Sequence, residues 1–262
     1  MNKSLMTLAS LLLAAALAAC SPSTDTPAPA AVEPAPAATP AAPPAADASA
    51  PAAEPAAEPA VDAAADAAVA AAAAAPATPL VEGTDYRRIT DGQPIAPQAG
   101  KIEVAEIFGY SCPACAAFQP LVGAWKRQLP ADVNFVYVPA AFGGQWDDFA
   151  RAFYAAESLD LVDRTHDAMY QAVHVEQSIR NADAIPDFYV QKAGVSRDAF
   201  ANAMKSFAVN GRMNRAKQFI QRSGVEGTPS LVVNGKYLVL GSSRDEQLRI
   251  ANQLIAQERA AR

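Results

Sequence analysis

Apolar residues along the chain change their spacing at one short stretch, residues 110–115, with the sequence Tyr-Ser-Cys-Pro-Ala-Cys. A nearly continuous apolar run over residues 102–108 precedes this stretch, which is typical of a buried central strand. After the stretch, apolar residues recur with a helical period until Pro130 ends the pattern. The sequence therefore predicts a strand, a tight connection and then a helix.

The pattern further along predicts a second strand, a block of helices, and a closing hairpin and helix. Residues 133–138 combine apolar and aromatic residues that favour a strand. Residues 146–207 carry repeated helical periods, and a helix over 211–222 follows them. An Asn-Gly pair at 234–235 lies between two short apolar runs, which predicts a β-hairpin before a last helix over 245–259.

This order of elements predicts an α/β protein with a thioredoxin-like fold and an inserted helical domain. We expect the first part of the thioredoxin-like domain over residues 83–145 and the helical insertion over 146–208. The second part of the thioredoxin-like domain is expected over residues 209–262.

The N-terminal part of the chain has a different composition. Residues 21–79 are almost entirely Ala, Pro, Asp, Glu, Ser and Thr, and such a segment buries too little apolar surface to offset chain entropy. We therefore expect a disordered linker over residues 20–82, in which the alanine-rich stretch 63–75 has a tendency to form transient helix. From Leu80 onward the chain carries 20 acidic and 20 basic residues. This neutral balance gives no indication of nucleic-acid binding, for which a basic stripe would be expected.

The first residues read as a targeting segment. Lys3 precedes an apolar run over residues 5–19, which is about the length of the core of a signal peptide and short for a membrane span. The run ends Leu-Ala-Ala-Cys at residues 17–20, which resembles a bacterial lipobox. The resemblance implies a signal peptide over residues 1–19, cleavage before Cys20 and membrane lipid attached to its sulfur.

Cleavage by an ordinary signal peptidase is the alternative, and it would leave Cys20 as a free thiol. The chain has 3 cysteines, so lipid on Cys20 would leave an even pair in the domain. This favours a periplasmic lipoprotein anchored by several acyl chains. The inner and the outer membrane both remain open as its destination.

The remaining two cysteines, Cys112 and Cys115, form a Cys-x-x-Cys motif at the start of the predicted helix. Thiolate is the attacking species in disulfide exchange, and a helix N-terminus favours the anion. We therefore assign Cys112 as the solvent-facing nucleophile and Cys115 as the resolving cysteine. A structural disulfide would cross-link almost nothing here, and a zinc site needs closely spaced histidines, whereas His166 and His174 are eight residues apart.

Several stretches together resemble the DsbA family of periplasmic thiol-disulfide oxidoreductases. The matching stretches are Glu-Ile-Phe at 106–108, Cys-Pro-Ala-Cys at 112–115, Pro120 inside the helix, the helical insertion, and Gly-Val-Glu-Gly-Thr-Pro at 224–229. The resemblance implies a thioredoxin fold and a cis peptide bond between Thr228 and Pro229 beside the dithiol.

The resemblance also implies roles for the neighbours of the two cysteines. Glu106 is expected as a buried acid with a raised pKa that exchanges a proton with Cys115. Thr228, Pro229, Pro113 and Ala114 are expected to contact an extended client chain. Ala114 departs from the family, in which many oxidases carry a histidine that stabilises the thiolate, so we expect a milder oxidant.

These features predict an enzyme, a membrane-tethered protein-disulfide oxidoreductase that donates its Cys112–Cys115 disulfide to reduced, unfolded secreted proteins. The expected electron acceptor is a DsbB-like quinone-linked membrane oxidase. We expect a monomer with no metal and no cofactor besides the redox-active dithiol. The alternatives are a reductase or isomerase of the same fold, and a tethered chaperone module in which the dithiol is incidental.

Overall fold

The computed structural model describes residues 61–74 and 78–262, so the expected signal peptide and Cys20 lie outside the described residues. The helices and strands are α1 (Val61–Ala74), β1 (Tyr86–Arg88), β2 (Ile102–Phe108), α2 (Pro113–Gln128), β3 (Val133–Pro139), α3 (Gln145–Ser158), α4 (Val162–Tyr170), α5 (Ala184–Ala193), α6 (Arg197–Met204), α7 (Phe207–Ser223), β4 (Ser230–Val233), β5 (Tyr237–Val239) and α8 (Arg244–Ala260). Among these helices, none combines the length and the apolar character needed to cross a membrane.

The described strands form one sheet in the order β1-β5-β4-β2-β3. Strands β2 and β3 are parallel, and the other neighbouring pairs are antiparallel. Strand β2 is central and every one of its residues is buried, which explains its nearly continuous apolar sequence. The expected thioredoxin-like α/β fold with a helical insertion is confirmed.

Alternating residues of β2 serve the two faces of the sheet. Ile102 and Val104 belong to a core that also contains apolar residues of α1, α2 and α8. Ala105 and Ile107 belong to a second core, which is shared with the helical insertion and α7. By the same alternation, Glu106 lies on the side of Ile102 and Val104, the side that α2 covers.

The predicted hairpin is confirmed between β4 and β5. Asn234 and Gly235 both have positive φ, at 51° and 65°, and form the centre of a tight turn that is closed by the N–H of Lys236 donating to the Val233 carbonyl at 2.9 Å. The expected boundary between residues 208 and 209 falls inside the first turn of α7, because that helix begins at Phe207. Its N-cap, Ser206, accepts a hydrogen bond from the backbone N–H of Val209.

Helix α1 lies inside the segment that we expected to be a disordered linker, and that expectation is wrong for residues 61–74. Ala65 and Val69, one helical turn apart, are only 4% and 2% exposed because they pack in the core with α2 and α8. Asp66 accepts a hydrogen bond from Arg127 at 3.2 Å and one from Gln128 at 3.4 Å. Small alanine side chains let this helix approach its neighbours closely, although the composition indicated no core.

Candidate active site

The dithiol lies at the start of α2. Cys112 is the N-cap residue and Pro113 is the first helical residue, where proline's missing N–H costs nothing. The Sγ of Cys112 accepts a hydrogen bond from the backbone N–H of Cys115 at 3.3 Å. The N–H of Cys115 has no partner within the helix, and it points at the Cys112 sulfur, where it would stabilise a thiolate.

The two sulfurs have different environments. Cys112 retains 7% of its surface, whereas Cys115 retains none, and Pro113 and Ala114 between them are exposed. Burial raises the pKa of the Cys115 thiol, the neighbouring Cys112 adds to the rise, and a hydrogen bond with Thr228 opposes it. Cys112 is therefore the less buried of the two cysteines, and ionisation of Cys115 is unfavourable.

The loop before β4 reaches the dithiol from the other end of the chain. The peptide bond between Thr228 and Pro229 is cis, as the family resemblance implied. The Sγ–H of Cys112 donates to the backbone carbonyl oxygen of Thr228 at 3.5 Å. Thr228 and Pro229 are both half-buried, so the loop forms a partly exposed wall beside the Cys112 sulfur.

Glu106 is fully buried on β2, and neither carboxylate oxygen has a hydrogen-bond partner within the described residues. Burial raises the pKa of Glu106 to about 8, and Lys126 opposes that rise. Glu103 on the same strand is also buried, but its carboxylate accepts the N–H groups of Ile95 and Ala96 at 2.8 and 2.7 Å. Glu103 therefore has a structural role in holding the backbone of residues 95 and 96, whereas the carboxylate oxygens of Glu106 are free to exchange a proton.

The surroundings of Glu106 extend to the surface through Tyr137. Tyr137 is the parallel register partner of Glu106 on β3, and Lys126 Nζ lies 4.9 Å from the centre of its ring. Tyr137 and Lys126 both line a cleft of about 330 Å³, together with Gln119 and His166. A half-buried basic side chain on the wall of this cleft therefore acts electrostatically on a fully buried acid.

Sequence reasoning missed the residues that hold the turn before Cys112. Tyr110 is buried, its hydroxyl lies 2.8 Å from His166 Nδ1, and its carbonyl oxygen lies 2.7 Å from His174 Nε2. Trp146 on α3 packs directly against Gly109. The only signal for these contacts in the sequence is the presence of 2 histidines, both of which lie in the insertion.

The described residues contain no group of three or more His, Cys, Asp or Glu side chains that could hold a metal ion. Both histidines of the insertion are engaged with Tyr110.

A dithiol at a helix start, beside a cis-proline loop and on a thioredoxin fold, defines the class of thiol-disulfide oxidoreductases. The DSBA-like thioredoxin domain family matches residues 132–253. The thiol:disulfide interchange protein DsbA of Pseudomonas aeruginosa is 40% identical over 183 residues, which are 68% of this chain and 86% of that protein. The corresponding protein of Pseudomonas syringae pv. tomato is 39% identical over 189 residues, 71% of this chain and 87% of that protein.

Solved structures agree with these matches. The crystal structure of oxidoreductase DsbA from Xylella fastidiosa is similar with a TM-score of 0.67 and 43% identity, covering 69% of this chain and 98% of that chain. The crystal structure of Pseudomonas aeruginosa DsbA has a TM-score of 0.64 and 38% identity, covering 70% of this chain and 96% of that chain. The chain belongs to the DsbA family and is a protein-disulfide oxidoreductase.

Proposed function

We propose that this protein is a periplasmic disulfide oxidase that donates the Cys112–Cys115 disulfide to reduced secreted proteins. The observation that carries the proposal is the asymmetry of the two sulfurs. Cys112 retains 7% of its surface and accepts an N–H bond at 3.3 Å, whereas Cys115 is fully buried with a raised pKa. A dithiol arranged in this way exchanges through one sulfur and uses the other to close or open the disulfide.

In the first step, a client thiolate attacks Cys112 Sγ of the oxidised protein. A new sulfur–sulfur bond forms between client and Cys112, and the Cys112–Cys115 bond breaks with its electron pair on Cys115. In the second step, another client thiolate attacks the client sulfur of this mixed disulfide and Cys112 leaves as a thiolate. The client is then oxidised by two electrons, and the protein holds them as its reduced dithiol.

The electrostatics of the dithiol favour this direction. The leaving group of the second step is Cys112, whose sulfur accepts a helix N–H, and a stabilised thiolate leaves faster. The same stabilisation favours the reduced form of the protein, so the oxidised form is the stronger oxidant. No cofactor enters this scheme, because the two sulfurs carry the electrons.

Glu106 supplies the proton that the first step needs. Burial raises the pKa of Cys115, so the leaving sulfur takes a proton readily. The pKa of Glu106 is about 8, so the carboxyl is mostly protonated at neutral pH and is able to give up that proton. Tyr170 lies near both groups, since Glu106 and Cys115 each contribute to raising its pKa.

The client chain is held beside Cys112 by Thr228, Pro229, Pro113 and Ala114. Pro113 and Ala114 are exposed at the motif, and Thr228 and Pro229 are half-buried beside it. Because Pro229 has no N–H, the loop presents its neighbouring backbone groups to an extended chain. Small and proline side chains at these positions suit many different client sequences.

The N-terminal segment determines where this reaction takes place. Cleavage before Cys20 and lipid on its sulfur would anchor a monomeric domain to the inner or the outer membrane, facing the periplasm. The reduced dithiol would then pass two electrons to a DsbB-like, quinone-linked membrane oxidase. Disulfides persist in this compartment, whereas cytosolic reductants would remove them.

The test uses three serine variants of the full chain. Cys112→Ser should abolish oxidation of a reduced client and the reduction of insulin. Cys115→Ser should accumulate a mixed disulfide at residue 112, because the resolving sulfur is missing. Cys20→Ser is the matched control, since it makes the same chemical change outside the domain and should keep full exchange while the protein leaves the membrane fraction.

Either of two results would overturn the proposal. Client oxidation by the Cys112→Ser variant at the wild-type rate would remove the dithiol from the mechanism. A mixed disulfide that forms on Cys115 in preference to Cys112 would reverse the assignment of the two sulfurs. Retention of the Cys20→Ser variant in the membrane would refute the lipid anchor alone.

Ala114 favours a second candidate, a reductase or isomerase of the same fold. The position lies exposed between the two cysteines, and alanine offers neither charge nor hydrogen bond to the Cys112 thiolate. A less stabilised thiolate makes the pair a weaker oxidant. Reduction of scrambled client disulfides by the reduced protein, faster than oxidation of reduced clients by the oxidised protein, would establish this candidate.

A further inference from the structure

Tyr110 lies two residues before Cys112 and is held at both of its ends. Its side chain is 1% exposed, and the turn that contains it is closed by the N–H of Cys112, which donates to the Gly109 carbonyl at 3.0 Å. The hydroxyl of Tyr110 is bonded to His166, and its backbone carbonyl is bonded to His174. Both histidines of the chain are therefore committed to this one residue.

The chemistry of the partners fixes which nitrogen of each histidine carries the proton. A carbonyl oxygen only accepts, so Nε2–H of His174 donates to Tyr110 at 2.7 Å. The side-chain amide of Gln119 donates to Asp167 at 2.8 Å, so its oxygen faces His166 Nε2 at 3.3 Å and accepts from it. Nδ1 of His166 is left to accept from the Tyr110 hydroxyl at 2.8 Å.

His166 and His174 differ in how they are buried. His166 is enclosed, and burial lowers its pKa to about 3, with Lys126 acting in the same direction, so it is a neutral part of the interior. His174 is half-buried and belongs to a π-helical turn, Gln171–Val175, that continues α4. Its ring stacks on Tyr170, with centroids 6.3 Å apart and planes inclined by 28°.

The π-helical turn places His174 within hydrogen-bonding distance of the Tyr110 carbonyl. A π-helical turn accommodates an extra residue within a helix, and such turns are frequent at functional sites. Tyr170, on which His174 stacks, itself packs edge-on against the Tyr110 ring with centroids 5.1 Å apart. The insertion thus holds the Tyr110 ring from the side and its carbonyl from the end, on the chain segment that leads directly into Cys112.

We propose that His174 is a positioning residue of the disulfide-exchange reaction, which acts on Cys112 through the backbone carbonyl of Tyr110. The inference rests on the proposed function in one respect, that Cys112 is the exchanging sulfur. A peptide group is rigid and planar, so the bond to its carbonyl oxygen fixes the plane between Tyr110 and Ser111. That plane sets where the Cys112 sulfur lies relative to the N–H of Cys115.

The effect on the reaction follows from the geometry of that hydrogen bond. The sulfur–nitrogen distance is already 3.3 Å, and hydrogen bonds weaken steeply as length and angle depart from their optimum. A turn that moves by a few tenths of an ångström would lose part of the stabilisation of the Cys112 thiolate. Loss of the His174 donor should therefore make the Cys112–Cys115 pair a weaker oxidant. His174 exerts this effect through the Tyr110 carbonyl and makes no contact with the Cys112 sulfur in the proposed role.

The test compares three substitutions in the full-length protein. His174→Phe keeps a ring to stack on Tyr170 but has no donor, His174→Gln keeps an N–H donor but has no ring, and His174→Ala has neither. Val175→Ala is the control, since Val175 lies on the same turn and is 70% exposed. The measurements are the equilibrium constant with glutathione, the rate of Cys112 alkylation at neutral pH, and the thermal unfolding of the oxidised protein.

The Phe and Ala variants should shift the glutathione equilibrium toward the oxidised protein by about threefold to tenfold, the size of one ordinary hydrogen bond. The same two variants should slow the alkylation of Cys112. The equilibrium constant of the Gln variant should lie within about twofold of the wild-type value, and that of Val175→Ala should equal the wild-type value. If one variant does not fold, the remaining pair of donor and non-donor side chains makes the same comparison.

Two results would overturn the inference. Equal equilibrium constants for all variants would show that the carbonyl bond does not act on the dithiol. A lower unfolding temperature with an unchanged equilibrium constant would show a purely structural role. Failure of the proposed function is distinguishable, because it would appear in the wild-type protein as exchange through Cys115 or as no exchange.

Discussion

The indole of Trp146 lies directly over Gly109, so that a Cβ added at Gly109 would come within 2.1 Å of Trp146 Cζ3. Gly109 is the first residue after β2, and its carbonyl accepts the N–H of Cys112 at 3.0 Å, which closes the turn that leads to Cys112. A side chain at residue 109 is therefore excluded by the helical insertion. The contact is one of the places where the insertion and the thioredoxin-like part jointly shape the surroundings of the dithiol.

Gly109→Ala should displace Trp146 and destabilise the protein by about 1–3 kcal/mol, as overpacking of a filled site usually does. Chemical unfolding followed by tryptophan fluorescence measures both effects. Gly211→Ala is the control, because a Cβ at Gly211 in α7 meets nothing within 4 Å and alanine favours helices. Equal stability of the two variants would contradict the proposed contact.

Glu106 should make the stability of the oxidised protein fall as pH rises. Its pKa is about 8 in the folded state and 4.5 ordinarily, so the folded state retains the proton longer and loses stability between these values. His166 acts in the opposite sense below pH 6.5, because its pKa is lowered to about 3. Between pH 6.5 and 8 His166 no longer opposes the effect, and Glu106 contributes a slope of up to about 1.4 kcal/mol per pH unit.

Glu106→Gln should flatten this slope, as measured by denaturant unfolding of the oxidised protein at several pH values. The same variant should slow the first step of client oxidation, because the proton for Cys115 is no longer available. Glu103→Gln provides the contrast, since it weakens two backbone hydrogen bonds and should cost stability without altering exchange. An unchanged slope in the Glu106 variant would refute the raised pKa.

Ala114→His should make the pair a stronger oxidant. A histidine between the two cysteines would stabilise the Cys112 thiolate by charge and hydrogen bonding, which favours the reduced form. We expect roughly a tenfold change in the equilibrium constant with glutathione, about 30 mV for a two-electron couple. An equal or lower potential in the variant would show that residue 114 does not control the Cys112 sulfur.

Helix α1 should contribute to stability without contributing to exchange. Val69→Asp places a carboxylate at a position that is 2% exposed, so α1 should detach with a loss of roughly 1.5–3 kcal/mol. Ala67→Asp introduces the same group at an exposed position of the helix and serves as the control. Proteolysis near residues 61–74 and the rate of client oxidation distinguish detachment from damage to the site.

Local signals predicted the parts of the fold that carry the dithiol. The apolar run over residues 102–108 became β2 with the same bounds, and the Asn-Gly pair became the hairpin turn. These elements are dictated by periodicity and by backbone conformations that few residues adopt. The position of the motif at a helix start could also be predicted, because Pro113 after Cys112 suits the first helical residue.

The sequence could not reveal contacts between distant residues. Tyr110 is 56 and 64 residues away from the two histidines that hold it, and no local pattern links them. Helix α1 escaped prediction for another reason, because its alanine-rich composition matches that of a linker. Its burial depends on a groove between α2 and α8 that only the folded chain provides.

The reduction potential of the Cys112–Cys115 pair, measured against glutathione, tests the proposed oxidase function most directly. A stabilised Cys112 thiolate and a buried Cys115 should place the potential nearer to about −120 mV, known for a strong oxidase of this family, than to about −270 mV. A potential at or below about −270 mV, the range of thioredoxin, would contradict the account and identify the protein as a reductase.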